Sequence, residues 1–305
     1  MQAGLTVDGP YDVIGRLLDE DPAAYWCLGT RDACDVFRED GARVLSWRRQ
    51  EELPEGTGAL RVIPGRVSQL TTIPSVVGRL PRLRFLEMPA PMLSDLALER
   101  VPPSIETLQL VNPRHTVDFA PRWDGLRALR SLRYVTFHDE FGADPIREQL
   151  SNFPLNDLRL DYLSFNLSKC GPLTEGINRR HTLKTVMVTD LGGFPLAEHL
   201  PTRIQKVGLI VPGREFSMAD LTKFRNLRSV FVNSALGQID CAAFLAMPSL
   251  VELTVYNSKK IVNAGDLADH PRLKRICFVN CGKPFKGVLD RFEPERYEEL
   301  DIRFS

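Results

Sequence analysis

Along most of the chain, apolar residues return in one spacing, apolar-x-x-apolar-x-apolar. The hexads are LRFLEM from Leu83, IETLQL from Ile105, LRYVTF from Leu132, LNDLRL from Leu155, LKTVMV from Leu183, IQKVGL from Ile204, LRSVFV from Leu227, LVELTV from Leu250, LKRICF from Leu273 and YEELDI from Tyr297. LRVIPG from Leu60 reads as a weaker first copy. Successive starts lie 23, 22, 27, 23, 28, 21, 23, 23, 23 and 24 residues apart, and a period held that closely marks an internal repeat. The fourth and sixth positions of a hexad, such as Leu108 and Leu110 or Val186 and Val188, share one face of a strand because side chains alternate with a period of two. That face is expected to be buried. Behind each strand come a turn and a helix-like apolar segment, as in PSVVGRLPR, WDGLRALRS, MADLTKFRN, CAAFLAMPS and AGDLADHPR, several of them ending in Pro beside the next strand.

A single strand-turn-helix unit cannot cover its own apolar face, so neighbours must stack. The pattern therefore predicts a parallel sheet on a concave side, with helices or extended segments on a convex side. A hexad of the form L-x-x-L-x-L at this period resembles the leucine-rich repeat superfamily over about residues 60–304. The resemblance implies an α/β solenoid of about ten or eleven repeats. The Asn or Cys that such repeats carry three residues after the last apolar position is Cys281 in one unit, and Ser258, Ala235 and Pro212 in others. Residues 60–305 are expected to form the array. Residues 1–59 do not follow the repeat and are expected to cap it, with a helix over 11–19, short strands over 23–28 and 42–47, and a helix over 32–38 between them. The stretch GPYDVIGRLLDED also admits an F-box-like adaptor helix. At the other end the sequence stops just after the last strand, so that edge is expected to be open and to support a weak homodimer.

The third, fifth and seventh positions are expected to project from the concave face. They are Phe85 and Glu87; Thr107 and Gln109; Tyr134, Thr136 and His138; Asp157, Arg159 and Asp161; Thr185 and Met187; Phe231 and Asn233; Glu252, Thr254 and Tyr256; Arg275 and Cys277. A polar surface with isolated aromatics suits a protein interface. The two longest intervals carry residues 112–123 and 162–176 and flank the strand from Leu132, and insertions in solenoids map to loops of one face. The expected partner site is thus Tyr134, His138, Asp139, Asp157, Arg159, Asp161 and Tyr162, with Phe231 and Tyr256 as further anchors. The aspartates imply a partner with a basic patch.

Composition narrows the chemistry. With 43% hydrophobic and 26% charged residues the chain is an ordinary globular one, and 39 basic against 39 acidic residues supply no field that favours nucleic acid. A basic column at the second position (Arg61, Arg84, Arg133, Lys184, Arg228, Lys274), interrupted by Glu106 and Glu298, reads as charge beside helix C-termini. The absence of a leader pattern and of an 18-residue apolar run points to a cytoplasmic chain with no membrane partner. Six cysteines without a C-x-x-C read as reduced thiols. There is no G-x-S-x-G, P-loop, G-x-G-x-x-G or H-E-x-x-H, and the five histidines fall in different repeats, so no catalytic residue, metal or cofactor is expected. The function expected is a non-enzymatic protein-binding module (inhibitor, immunity protein, effector or scaffold). The alternative is a substrate adaptor of an enzyme complex, such as an F-box-like ubiquitin-ligase adaptor; an enzyme with a site drawn from distant repeats comes third.

Overall fold

The computed structural model describes residues 10–111, 117–138, 153–166, 182–189, 196–201 and 203–303. Contacts divide the chain into two compact units, residues 1–164 and 165–305.

In the first unit the strands are β1 (Tyr25–Gly29), β2 (Arg43–Ser46), β3 (Ala59–Ile63), β4 (Phe85–Pro89), β5 (Thr107–Val111), β6 (Tyr134–His138) and the start of β7 (Tyr162–Asn166). They pair in parallel in the order β2-β1-β3-β4-β5-β6-β7. Residues 10–59 thus add two strands to the sheet. Leu60, Leu86, Leu108, Val135 and Leu163 stand in one cross-strand row, all buried. This row corrects two hexads. Leu60 occupies the fourth position, so the first copy starts at Thr57, a buried residue whose hydroxyl donates to the Pro54 carbonyl at 2.7 Å. Arg61 consequently leaves the second position for the fifth. Leu163 also stands fourth, so that repeat reads LDYLSF from Leu160, and the expected strand at Leu155 is instead a 3-10 turn, Leu155–Asp157. Both hexads satisfy the same spacing, because Leu155, Leu158 and Leu160 are all buried. Pairing of Tyr162 with Tyr134 decides between them. The second long interval now precedes β7, and residues 139–152 and 167–181 lie outside the described ones.

Helix α1 (Pro10–Glu20) starts on proline, whose missing N–H costs nothing at a first turn, carries Asp12 in that turn, and stops before Pro22. Helix α2 (Arg31–Cys34) is capped by Thr30 and brings Cys34 under β1, where it forms a disulfide with Cys27 across a Cα separation of 5.9 Å. The expectation of reduced thiols is therefore corrected for these two cysteines. Cys241, Cys277 and Cys281 are free and buried.

The second unit continues with β8 (Thr185–Thr189), β9 (Lys206–Ile210), β10 (Ser229–Asn233), β12 (Glu252–Tyr256), β14 (Arg275–Val279) and β15 (Glu299–Arg303), parallel and in that order. The fourth positions Val186, Val207, Val230, Leu253 and Ile276 are buried, while Leu300 and Ile302 on the outer strand are half-buried. Behind the strands run short 3-10 segments in place of the helices expected there: Met218–Lys223, Cys241–Ala246 and Ala264–Asp269, burying Leu221, Phe244 and Leu267. Two residue pairs between them, β11 (Ile239–Asp240) and β13 (Ile261–Val262), form a small parallel ribbon that the hexads did not announce. Ser258, at the position where such repeats carry Asn or Cys, is buried and links adjacent turns by accepting from the Ala235 N–H at 3.0 Å. Parallel strands in register, one per repeat, with compact segments behind them make the fold an α/β leucine-rich repeat solenoid.

Two predictions follow from this packing. Leu253 is wholly buried, and Leu253→Ala should cost about 2–5 kcal/mol in urea unfolding. His270 is buried too: its Nδ1 accepts from the Leu273 N–H at 3.0 Å, and its Nε2 stands 3.1 Å from the Met247 carbonyl, which assigns the proton to Nε2. Burial holds its pKa below the usual histidine value. Below about pH 6.5 the unfolded chain binds a proton that the folded chain refuses, so stability falls with pH from there toward the depressed folded value. Melting curves from pH 8 to 5 should show a decline in the wild type that is smaller in His270→Gln.

Candidate functional site

The two faces of the sheet carry different rows. Fourth and sixth positions point to the back; third, fifth and seventh positions form the other face, which was expected to be open. In the first unit it is not. Tyr25, Ala59, Phe85, Thr107 and Tyr134 align as its third row, and Val13, Ile14 and Leu17 of α1 pack onto that row in one apolar cluster with Cys27, Cys34 and Ala42. Phe85, Glu87, Thr107 and Gln109, all expected to project from the concave face, are buried. Gly58 makes the seat: a Cβ there would stand 2.8 Å from Leu17 Cδ2. At the strand entrances Arg84 binds Glu106 at 2.7 Å, and α1 adds Arg16 and Glu20 at 3.8 Å from Glu106 and Arg84 respectively.

Beside the helix, the fifth row holds a buried ion pair. Arg61 bonds the Glu87 carboxylate and the Tyr25 hydroxyl, and its guanidinium lies 4.3 Å from the centre of the Phe37 ring, which comes from the segment following α2. Burial works against the Arg61 charge, and Glu87 and Tyr25 outweigh it, leaving its pKa above the ordinary arginine value. Burial also pushes the Tyr25 hydroxyl up.

The residues expected to form the central site are not brought together as one exposed patch. Tyr134 is half-buried against the α1 cluster and Tyr162 is buried beside it, their ring centres 6.3 Å apart. Asp157 sits exposed on the 3-10 turn with its carboxylate on Arg127 at 2.7 Å. Arg159 follows it, exposed, and its carbonyl accepts from the Arg133 guanidinium at 3.1 Å. Asp161 is half-buried just before β7. His138 ends β6, and Asp139 lies outside the described residues.

In the second unit the same face is open only in part: Thr185, Glu252, Thr254 and Cys277, expected to project, are buried, as is Ser229. Met187, Phe231 and Asp301 in the fifth column and Ile210, Asn233, Tyr256 and Val279 in the seventh are half-buried. Gly208 leaves room for Met187, since a Cβ there would stand 1.9 Å from Met187 Sδ. Phe231 and Tyr256 meet edge to face with centres 5.6 Å apart. Burial, the Cys277 thiol and nearby acids push the Tyr256 phenol up to about 12, so it stays neutral. An amide ladder borders the patch: Asn280 donates to Asn257 at 2.7 Å and Asn257 to Asn233 at 2.9 Å. The third row crosses it with mixed sign, as Lys206, Ser229, Glu252, Arg275 and Glu299.

Sequence reasoning missed the cover over the first unit, although two signals point to it. Residues 13, 14, 17 and 18 make an apolar helical edge, and Tyr25, Ala59, Phe85 and Tyr134 make an apolar third row where the second unit has charged and polar residues. Among the described residues no helix is long and apolar enough to cross a membrane, and no three His, Cys, Asp or Glu side chains cluster as a metal site.

No protein-family model matches the chain, and no curated protein matches it. Among solved structures it is similar to an internalin, InlF, of Listeria monocytogenes, at 13% identity and a TM-score of 0.40, covering 86% of this chain and 65% of that one. It is similar to TLR13 in a complex with single-stranded RNA, at 16% identity and a TM-score of 0.43, covering 86% of this chain and 40% of that one. For the leucine-rich repeat ectodomain of the receptor kinase GASSHO1/SCHENGEN3 of Arabidopsis thaliana the values are 13% and 0.33, covering 92% of this chain and 43% of that one. The chain thus spans about two thirds of the internalin and less than half of the other two.

The buried pair yields a direct test. Arg61→Met removes the cation that faces the buried Glu87 carboxylate and should cost about 3–5 kcal/mol in urea unfolding. Arg61→Met combined with Glu87→Leu should recover most of that loss.

Proposed function

We propose that the protein is a non-enzymatic protein-binding module whose partner sits on the open face of β8 to β15. The observation that carries this reading is the contrast between the faces: α1 and the segment after α2 cover the first unit's third and fifth rows, whereas Met187 and Phe231 of the second unit's fifth row, flanked by Ile210, Tyr256 and Val279, remain half-exposed. Aromatic anchors within a polar surround are the composition of an interface core. The Asn233, Asn257 and Asn280 amides and the half-buried Lys206, Arg275 and Glu299 of the third row supply the rim. Several adjacent strands offer the roughly 800 Å² that a specific complex buries on each partner. Burial raises the pKa of Cys277 and Cys281, which makes them poor nucleophiles and supports the non-enzymatic reading.

Two finer points belong to the same reading. An adaptor would use α1 to dock an enzyme complex, and its apolar edge already lies on the sheet, which weighs for the simpler module. The half-exposed Leu300 and Ile302 on the outer strand support weak self-association along β15. The disulfide Cys27–Cys34 fits an oxidising compartment, which takes from the cytoplasmic expectation its argument from reduced cysteines.

The test is a titration of the co-purifying protein partner. Phe231→Ala and Tyr256→Ala should each weaken binding by about 30-fold, the equivalent of roughly 2 kcal/mol at an anchor, with melting unchanged. Arg159→Ala should leave it within a factor of two. The opposite ranking would move the site to the first unit.

A further inference from the structure

Helix α1 covers its strands less firmly than the surface allows. Gly15 lies in the middle of the helix, and a Cβ there would meet nothing within 4 Å. Alanine would fit and would favour the helix, so the glycine weakens α1 without serving its packing. The contacts at the far end are also weak. Arg16 and Glu20 reach their partners only at 3.8 Å, with side chains that are 47% and 68% exposed, the kind of pair that contributes little. Beneath the helix the sheet is partly polar: the hydroxyls of Thr107 and Thr136 are buried without a hydrogen-bond partner among the described residues, a cost that any dry cover must bear. What holds α1 is a short apolar edge, Val13, Ile14 and Leu17, against Phe85 and its neighbours.

The geometry points to α1 as a displaceable strap: the strip it occupies on β4 to β6 is a helix-docking groove that accepts, in trans, a partner helix of α1's own chemistry. The occupant is specified by the seat. It needs apolar residues at helical positions i, i+1 and i+4 to fill the places of Val13, Ile14 and Leu17, a cation toward Glu106 and an acid toward Arg84. A partner helix without the internal glycine would compete from a better intrinsic conformation. This surface is separate from the open face of the second unit, and neither reading depends on the other.

Hydrogen exchange on the full chain tests the strap first. Amides of α1 should exchange by local opening, far faster than those of Val230 and Val255 in the core, and Gly15→Ala should slow them about two- to five-fold without changing the core. Exchange of α1 at the core rate would overturn the proposal. The second arm uses Leu17→Asp in the full chain, which disables the resident helix, and a labelled peptide with the wild-type sequence of residues 10–20. The variant should bind this peptide saturably, the wild-type chain should bind it at least ten-fold more weakly, and a scrambled peptide should not bind. A folded Leu17→Asp chain that ignores the peptide, or takes the scrambled one equally well, overturns the proposal. If Leu17→Asp does not fold, the exchange of the wild-type and Gly15→Ala chains decides.

Discussion

Each inner strand of the main sheet is held by its two neighbours, and the register is set by main-chain bonds handed from one repeat to the next. The residue at the second position donates to the residue one repeat earlier: Glu106 N–H to the Arg84 carbonyl at 2.8 Å, Arg133 to Glu106 at 2.8 Å, Val251 to Arg228 at 2.8 Å and Lys274 to Val251 at 2.8 Å. A slip of one residue would turn each fourth-position leucine or valine to the wrong face. The ladder therefore does more than pair strands. It decides which side chains become core and which are left to meet something else.

The two units answer that second question differently. In the first, the chain covers its own rows with α1 and the segment after α2, and the buried Arg61–Glu87 pair is a consequence, since two fifth-position charges that would sit in water on an open face are instead enclosed with Tyr25 and Phe37. In the second, the fifth-position Met187, Phe231 and Asp301 keep partial exposure while Thr254 and Cys277 are buried, and Phe231 meets Tyr256 of the seventh row. Three of the second-position cations are also engaged by the following repeat. Arg84 binds Glu106, Arg133 reaches the Arg159 carbonyl and Lys274 the Arg296 carbonyl. The next repeat engages these three, and Glu106 and Glu298 interrupt the column, which argues against a continuous basic stripe.

The repeat and its buried rows were legible because they depend on local spacing, which a sequence displays directly. Where two hexads overlapped, at Leu155 and Leu160, spacing could not choose, and pairing with Tyr134 did. The first copy was misplaced for a related reason: Thr57 stands where a leucine was sought, so the pattern was picked up three residues late. The site was less legible. Side-chain alternation tells which face a residue takes, but whether that face meets solvent depends on a helix more than sixty residues away from Phe85. The Cys27–Cys34 bond was likewise invisible, since it depends on α2 folding back under β1.

The central claim is that the third and fifth rows are closed by α1 and the segment after α2 in the first unit and partly open in the second. Hydroxyl-radical footprinting of the native chain reads it directly, because aromatic and sulfur side chains are oxidised in proportion to their contact with solvent. Phe85 is 0% exposed whereas Met187, Phe231 and Tyr256 are half-buried. The account predicts modification of Met187, Phe231 and Tyr256 in the native chain, with Phe85 and Tyr25 modified far more slowly. Equal modification of Phe85 and Phe231 in the native chain would contradict it.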